Sequence, residues 1–225
     1  MGLGAEAMRT IAFVSESGGS GKSTIASSLA AAAYETTDRV CVIDMDPQGS
    51  LMTWARIRAS RDIDVIACGA ARLPALLASL EGMGVTLAIL DTPGAEGAAS
   101  TAAMGAADLN IVPSRPSLFD LRASARAREA LEGIGAEFVF LLNQRPPAGE
   151  TPRVQDCVEA LAEMGELISP LILTRADYQE AARRGRGVTE FSPAGAAAQE
   201  MRALWRSIEQ RLPAARAPRG ARRAA

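Results

Sequence analysis

The stretch Ser15-Glu16-Ser17-Gly18-Gly19-Ser20-Gly21-Lys22-Ser23-Thr24 decides the fold. An apolar, β-rich run precedes it at residues 9–14, and an alanine-rich helical run follows it at residues 25–33. A strand, a glycine-rich loop ending in Gly-Lys-Ser and a helix are the parts of a phosphate-binding P-loop. Glycine lets backbone N–H groups point inward at an anion, and the helix N-terminus adds partial positive charge. The stretch therefore predicts a site for nucleotide phosphates.

The residues at the end of the loop have distinct expected roles. Lys22 would reach the terminal phosphates, and the Ser23 hydroxyl would bind Mg²⁺. Lys22 is the only lysine among 24 cationic residues, which suits a site that needs a compact ammonium group. The predicted phosphate-binding residues are Gly18, Gly19, Ser20, Gly21, Lys22, Ser23 and Thr24.

Two further motifs place carboxylates after buried strands. The strand at residues 40–44 runs into Asp44-Met45-Asp46-Pro47-Gln48-Gly49, where Pro47 disfavours helix at Asp46. The strand at residues 85–91 ends in Asp91-Thr92-Pro93-Gly94, a Walker-B pattern followed by a switch loop. In parallel sheets the carboxyl edge of the strands is where ligands bind. We predict that Asp91 lies near Mg²⁺ and that the Gly94 N–H senses the terminal phosphate.

Composition limits the other classes of site. The 225 residues include three scattered cysteines and no histidine, which excludes zinc-finger, iron–sulfur and histidine acid–base chemistry and suits a reducing cytoplasm. The net charge of −2 means that any nucleic-acid binding must come from a local basic patch. We find no apolar run long enough for a membrane-spanning helix.

Strand and helix patterns alternate along most of the chain. They predict an α/β fold with a mostly parallel twisted sheet of about eight strands and helices on both faces. The last of these strands is expected at residues 171–173. We divide the chain into an N-terminal extension at residues 1–8, one domain at residues 9–212 and a basic, disordered tail at residues 213–225.

Together the three motifs resemble those of the ParA/MinD family of dimerising ATPases, in the same order. The run from Ser17 to Thr24 is similar to the family's deviant Walker A motif, K-G-G-x-G-K-[ST]-T, and D-x-D-P-Q-G is similar to its second motif. The resemblance extends over residues 9–212 and is to short, single-domain ParA-like members. Ser17 stands where the family has a signature lysine, although some carboxysome-positioning members also resemble this chain in having serine there.

The departure at Ser17 leaves several outcomes open. In the family, the signature lysine reaches across the dimer to the partner's phosphates. A serine cannot supply that charge. An arginine elsewhere, such as Arg145 or Arg153, takes over its role, or hydrolysis is slow, or the protein is a binding switch that hardly turns over. The serine is alternatively a substitution that traps one nucleotide state.

The resemblance also implies roles for particular residues. Lys22 and Asp46 would be catalytic, with Asp46 activating the attacking water, and Asp44 would support the Mg²⁺ shell with Ser23 and Asp91. Asn143 and Pro193 would contact adenine. The implied cofactors are ATP or ADP and Mg²⁺. The implied enzyme is an ATPase whose turnover is slow and stimulated by its partner.

By the same resemblance, the chain forms a homodimer on ATP binding and binds DNA nonspecifically. A cargo-bound ParB-like adaptor protein triggers hydrolysis, so that a plasmid, chromosome or other cargo is segregated over the nucleoid in the cytoplasm. The candidate DNA-binding residues are Arg183, Arg184, Arg186, Arg202 and Arg206, which alternatively form an ordinary solvated surface. Two alternatives share the P-loop: an ATP-dependent synthetase-type enzyme, and a nucleotide-binding switch without a partition role.

Overall fold

Six parallel strands form the centre of the protein, whose computed structural model describes residues 7–36, 39–147 and 151–213. The strands are β1 (Arg9–Phe13), β2 (Val40–Asp44), β3 (Asp64–Ala67), β4 (Leu87–Asp91), β5 (Leu109–Ser114) and β6 (Phe138–Leu142). Their order across the sheet is β3-β2-β4-β1-β5-β6, and every pairing is parallel. The predicted α/β class with a parallel sheet is confirmed.

Helices connect the strands and continue beyond β6. They are α1 (Lys22–Tyr34), α2 (Ser50–Ile57), α3 (Leu73–Gly82), α4 (Ala98–Ala106), α5 (Leu118–Gly133), α6 (Pro152–Met164), α7 (Ala176–Arg183), α8 (Val188–Phe191) and α9 (Ala196–Glu209), with a 3₁₀ turn at Ala70–Arg72. Two of them begin with a side-chain cap, because Ser117 accepts from the Asp120 N–H and Thr151 accepts from the Val154 N–H.

The helices cover both faces of the sheet, as the alternation of strands and helices predicted. Successive strand residues point to opposite faces, so Phe13 of β1 packs in a layer with α1, α2, α7, α8 and α9. Its neighbour Ala12 packs in a second layer with α3, α4, α5 and α6. Each strand in the centre of the sheet is therefore apolar on both sides, which explains the continuous hydrophobic runs in the sequence.

The prediction of about eight strands was wrong, because the sheet has six in the described part of the chain. Residues 171–173, predicted as a last strand, form one isolated bridge, between Leu173 and Arg145, and the Ile172 N–H donates to the Leu142 carbonyl at 2.9 Å. A second isolated bridge pairs Leu167 with Phe140. Pro170 lies between the two bridges and has no N–H to donate, so a continuous ladder cannot form there.

The predicted domain boundaries fall close to the limits of the described residues. Ala7 and Met8, assigned from the sequence to an extension, are buried, and Met8 packs in the second layer. Residues 1–6 of that extension and residues 214–225 of the predicted tail lie outside the described residues. Within the described ranges, no helix is both long enough and apolar enough to cross a membrane.

Strand register determines where the polar residues meet. Phe13 of β1 lies beside Asp91 of β4, and Asp91 lies beside Asp44 of β2. All three residues end their strands, so the P-loop that follows β1 and the two carboxylates occupy one edge of the sheet.

Candidate functional site

The glycine-rich loop connects β1 to α1 through backbone conformations that favour glycine. Gly19 and Gly21 have φ values of 80° and 92°, in the left-handed region that L side chains rarely adopt. A Cβ at Gly21 would also lie 2.3 Å from the Asn143 Nδ2 atom. A larger residue at position 21 would therefore disturb both the loop and the amide that contacts it.

The loop is held from the end of β6. Asn143 donates from Nδ2 to the Ser20 carbonyl at 2.7 Å, and Gln144 donates from Nε2 to the Gly19 carbonyl at 3.0 Å. Asn143 is buried and was predicted from the resemblance to contact adenine. In the structure its amide nitrogen bonds to the loop backbone, so it fixes the loop's shape, and adenine contact stays a prediction.

Lys22 begins α1 and is buried beside two carboxylates. Burial lowers the pKa of its ammonium group, while the charges of Asp91 and Asp46 act in the opposite direction. The structure thus brings together three residues that the sequence placed in separate motifs. A desolvated cation at the start of a helix is suited to attract an anionic ligand.

Ser23 and Asp91 meet beside the loop. The Ser23 hydroxyl donates to Asp91 Oδ2 at 2.6 Å, whereas Asp91 Oδ1 is buried with no hydrogen-bond partner among the described residues. Burial raises the pKa of Asp91 to about 7, although the Ser23 hydrogen bond and the Lys22 charge favour the ionised form. A buried acceptor without a partner is a costly arrangement that a bound cation would relieve.

This oxygen set fits Mg²⁺. A hydroxyl and a carboxylate oxygen are hard ligands, and Mg²⁺ typically takes one or two such protein groups together with phosphate oxygens and water. Ser23 and Asp91 are the residues that would hold the ion.

Asp44 and Asp46 have different surroundings. Asp44 is buried, and its two oxygens accept from the Asp46 N–H at 3.2 Å and the Met52 N–H at 2.9 Å. It therefore anchors the loop after β2 to the start of α2. Asp46 is only half-buried, and its Oδ1 accepts from the Gln48 N–H at 2.9 Å. Of the pair, Asp46 is the carboxylate with room to meet a ligand.

The predicted switch segment lies against the tip of the P-loop. The Thr92 hydroxyl donates to the Phe13 carbonyl at 2.8 Å, which holds the segment to the end of β1. A Cβ at Gly94 would lie 3.2 Å from the Gly18 Cα atom, so glycine permits this approach of two backbones. Gly94 and Gly18 are thus neighbours, as a phosphate-sensing role requires.

A pocket of about 130 Å³ lies on the other side of the loop. Its walls combine loop and helix residues with the segment after β6: Gly21, Thr24, Ile25, Asn143, Gln144, Leu173, Thr174, Arg175, Tyr178 and Gln179. Its position beside the P-loop suits a nucleotide base. Pro193 does not line this pocket: it is exposed, and its carbonyl accepts from Arg202 at 2.6 Å. Contact of Pro193 with adenine stays a prediction.

One contact at the loop was not predicted from the sequence. Arg115, which follows β5, donates from Nη2 to the Ser17 hydroxyl and to the Gly18 carbonyl, each at 3.3 Å. Its Nε also donates to the two oxygens of buried Asp120 at 3.1 and 3.2 Å. The pattern Ser117-x-x-Asp120 resembles a capping box, in which the side chain of the fourth residue folds back toward the first. This pattern could have indicated that the Asp120 side chain lies against the start of α5.

The arginines predicted to bind DNA differ in their pairing. Arg183 and Arg184 both lie near the Glu180 carboxylate, at 2.9 and 3.7 Å, and Arg202 pairs with Glu35 at 2.6 Å. Arg186 and Arg206 are exposed, and neither forms an ion pair within the described part of the chain. The predicted patch is thus partly neutralised by its own acidic neighbours.

The parallel α/β sheet and the loop geometry define the class as a P-loop nucleotide-binding protein. Residues 11–188 match the family described as the CobQ/CobB/MinD/ParA nucleotide binding domain, and the chain belongs to this family. It is also 32% identical over 219 residues to the maintenance of carboxysome distribution protein A of Gloeobacter kilaueensis, covering 94% of this chain and 97% of the relative. The predicted ParA/MinD resemblance is confirmed.

Solved structures show the same fold at lower identity. Apo McdA of Cyanothece aligns with a TM-score of 0.77 at 19% identity, covering 91% of this chain and 99% of that structure. The septum site-determining protein MinD of Pyrococcus horikoshii, complexed with Mg-ADP, aligns with a TM-score of 0.72 at 18% identity, covering 90% and 96%.

Proposed function

We propose that this chain is an ATPase that dimerises on binding ATP and positions a cellular cargo. The proposal rests on the arrangement of Lys22, Ser23 and Asp91. A buried ammonium group, a hydroxyl and an unpartnered carboxylate oxygen converge where the P-loop meets the sheet edge. Such a set binds a nucleoside triphosphate together with Mg²⁺. The Mg-ADP complex of the MinD structure supports a magnesium nucleotide as the ligand here.

Each residue of the site has a task in this proposal. Backbone N–H groups of the loop cradle the phosphates, and Lys22 neutralises part of their charge. Ser23 and Asp91 would hold Mg²⁺, which would supply positive charge to offset that of the phosphates. Asp46 orients the attacking water, and Asp44 keeps the Asp46 loop in place through its two backbone contacts. The Gly94 N–H contacts the terminal phosphate, so that the position of the switch segment depends on whether that phosphate is present.

The cellular part of the proposal concerns DNA, partner and cargo. Arg186 and Arg206 are the exposed cations best suited to contact phosphates, because Arg183, Arg184 and Arg202 would first have to leave carboxylates. A cargo-bound adaptor protein of the ParB-like kind stimulates hydrolysis, and the dimer works over the nucleoid in the cytoplasm. The relative named for carboxysome distribution favours a protein body as cargo over a plasmid or chromosome.

Fluorescence anisotropy with a nonspecific DNA duplex tests this function. We expect retention of DNA with ATP–Mg²⁺ but not with ADP, and weaker binding at higher salt because counterions compete for the phosphates. The double variant Arg186→Ala, Arg206→Ala should bind more weakly, whereas the control Arg56→Ala, Arg128→Ala should not. Equal behaviour with ATP and ADP would contradict a nucleotide-controlled positioning role, and would favour a synthetase-type enzyme or a switch without a partition role.

A further inference from the structure

The Ser17–Gly18 turn, at the tip of the P-loop, is bordered by two elements. Gly94 of the switch segment lies on one side, where an added Cβ would be 3.2 Å from the Gly18 Cα atom. The Arg115 guanidinium lies on another side and donates to Ser17 and Gly18. The pocket suited to a base lies toward Gly21 and Asn143, at the opposite end of the loop. The turn is therefore the end of the loop that faces the terminal phosphate.

Arg115 is fixed at this turn by a buried carboxylate. Asp120 is 2% exposed, and it accepts from Arg115 Nε and from the Ser117 hydroxyl. Arg115 Nη1 would lie 3.3 Å from a Cβ at Gly19, so the guanidinium also covers the next loop residue. The side chain of Arg115 is still 36% exposed, which leaves part of its donor set free to meet a ligand.

We infer that Arg115 binds the terminal phosphate of the nucleoside triphosphate and supplies the positive charge that Ser17 does not. This inference rests on the proposed function, since it assigns a further residue to the same site. Arginine suits the task because its planar guanidinium keeps several donors in fixed directions, one edge for Asp120 and another for a phosphate oxygen. A diphosphate lacks the group that Arg115 would contact. Arg115 is therefore a determinant of the preference for triphosphate over diphosphate.

The two arginines proposed from the sequence are less well placed. Arg153 is exposed in the first turn of α6. Arg145 has a buried Nε without a hydrogen-bond partner among the described residues, and its backbone pairs with residues 172–174 rather than with the loop. We therefore infer the role for Arg115 rather than for either of these two arginines.

Calorimetric binding of the non-hydrolysable analogue AMPPNP and of ADP, each with Mg²⁺, tests the inference. Arg115→Gln keeps an amide donor but removes the charge. We expect its AMPPNP affinity to fall by about ten- to hundredfold, which is the usual contribution of a hydrogen bond to a charged group. Its ADP affinity should be unchanged. The control Arg128→Gln removes a partly exposed arginine that is paired with Glu132 on α5, and should change neither affinity.

A second variant separates charge from loop support. Ser17→Lys in the Arg115→Gln background places an ammonium group at the same turn, so it should restore the preference for AMPPNP. If Arg115→Gln lost both nucleotides equally and Ser17→Lys gave no rescue, Arg115 would only support the loop and the inference would be overturned. An unchanged AMPPNP/ADP ratio in Arg115→Gln would overturn it too.

Lys22→Ala shows whether a negative result rejects only the role of Arg115 or the whole nucleotide site of the proposed function. Loss of both nucleotides in Lys22→Ala, combined with a wild-type ratio in Arg115→Gln, would reject the role of Arg115 alone. Wild-type protein that binds neither nucleotide, or binds as well without Lys22, would reject the nucleotide site and the inference with it.

Discussion

The Ser23 hydroxyl donates a 2.6 Å hydrogen bond to Asp91, joining the first turn of α1 to the end of β4. These two residues are 68 positions apart in the chain, and the parallel register of β1 and β4 brings them to one sheet edge. The other Asp91 oxygen is buried without a partner among the described residues. Asp91 thus has an unpartnered oxygen at the place where the proposed function needs an Mg²⁺ ligand.

Asp91→Asn tests this relationship. The amide can still accept from Ser23, but it removes the charge that favours a cation, so Mg²⁺ should increase ATP affinity much less than in the wild type. The nucleotide-free variant should be no less stable than the wild type, because no buried carboxylate has to ionise. Calorimetric titration of ATP with and without Mg²⁺ measures the first effect, and urea unfolding the second. An undiminished Mg²⁺ effect would remove Asp91 from the site.

Asp46→Ala should separate binding from hydrolysis. Its side chain contacts the Gln48 N–H in a loop and leaves the P-loop backbone untouched, so ATP should still bind. Turnover should fall at least about a hundredfold if Asp46 orients the attacking water. Phosphate release measures turnover, and Asp156→Ala, an exposed carboxylate on α6, is the control. Wild-type turnover in Asp46→Ala would exclude the catalytic role.

Arg58 joins α2 to the segment between α7 and α8. Its guanidinium donates to the Gly185 carbonyl at 3.1 Å, to Glu190 at 2.8 Å and to Asp62 at 2.8 Å, and lies 5.0 Å over the Trp54 ring. Arg58→Ala should lower the free energy of unfolding by about 2–4 kcal/mol, because it leaves the partners of a buried cation unpaired. Urea unfolding measures the loss.

The same variant has an expected pH dependence. Burial alone would raise the pKa of Asp62, but hydrogen bonds from Ser60 and Arg58 outweigh it and lower the pKa below 3.8. Stabilisation by Arg58 through Asp62 is therefore present above pH 3.8 and is lost as the pH falls through the lower, folded-state pKa. The difference between wild type and Arg58→Ala should shrink under acid conditions. Arg56→Ala changes an exposed residue in the last turn of α2 and should show neither effect.

Cys41 in β2 should make the protein less stable in alkali. Burial, with a smaller effect of the Asp64 charge, raises the pKa of its thiol from 9.0 to about 12. The unfolded chain therefore loses this proton first, and the stability that the thiol form contributes falls as the pH rises from 9 through 12. Between pH 8 and pH 10, Cys41→Ala should lose about 1 kcal/mol less stability than the wild type. Parallel losses in urea unfolding would contradict the assignment, and Cys68→Ala is the partly exposed control.

Local rules in the sequence were sufficient for much of the site. The P-loop and the two strand-ending carboxylates follow from motif spacing, because parallel strands bring their carboxyl ends to one edge. The strand count failed because pairing beyond β6 depends on where Pro170 interrupts the ladder. Arg115 was missed because its role comes from a contact with Ser17, 98 residues away, that no local pattern records.

The sequence also could not show which arginines are free. Arg202 lies 167 residues from Glu35, yet the packing of α9 on α1 pairs them. A basic patch inferred from composition therefore overestimates the charge available to DNA.

Light scattering of the purified chain with ATP–Mg²⁺ and with ADP tests the central claim most directly. We predict twice the chain mass with ATP–Mg²⁺ and the mass of a single chain with ADP, because closure depends on the terminal phosphate. Lys22→Ala should have the single-chain mass in both nucleotides. A single-chain mass in both nucleotides for the wild type, or a dimer that forms equally in Lys22→Ala, would contradict an ATPase that dimerises on ATP.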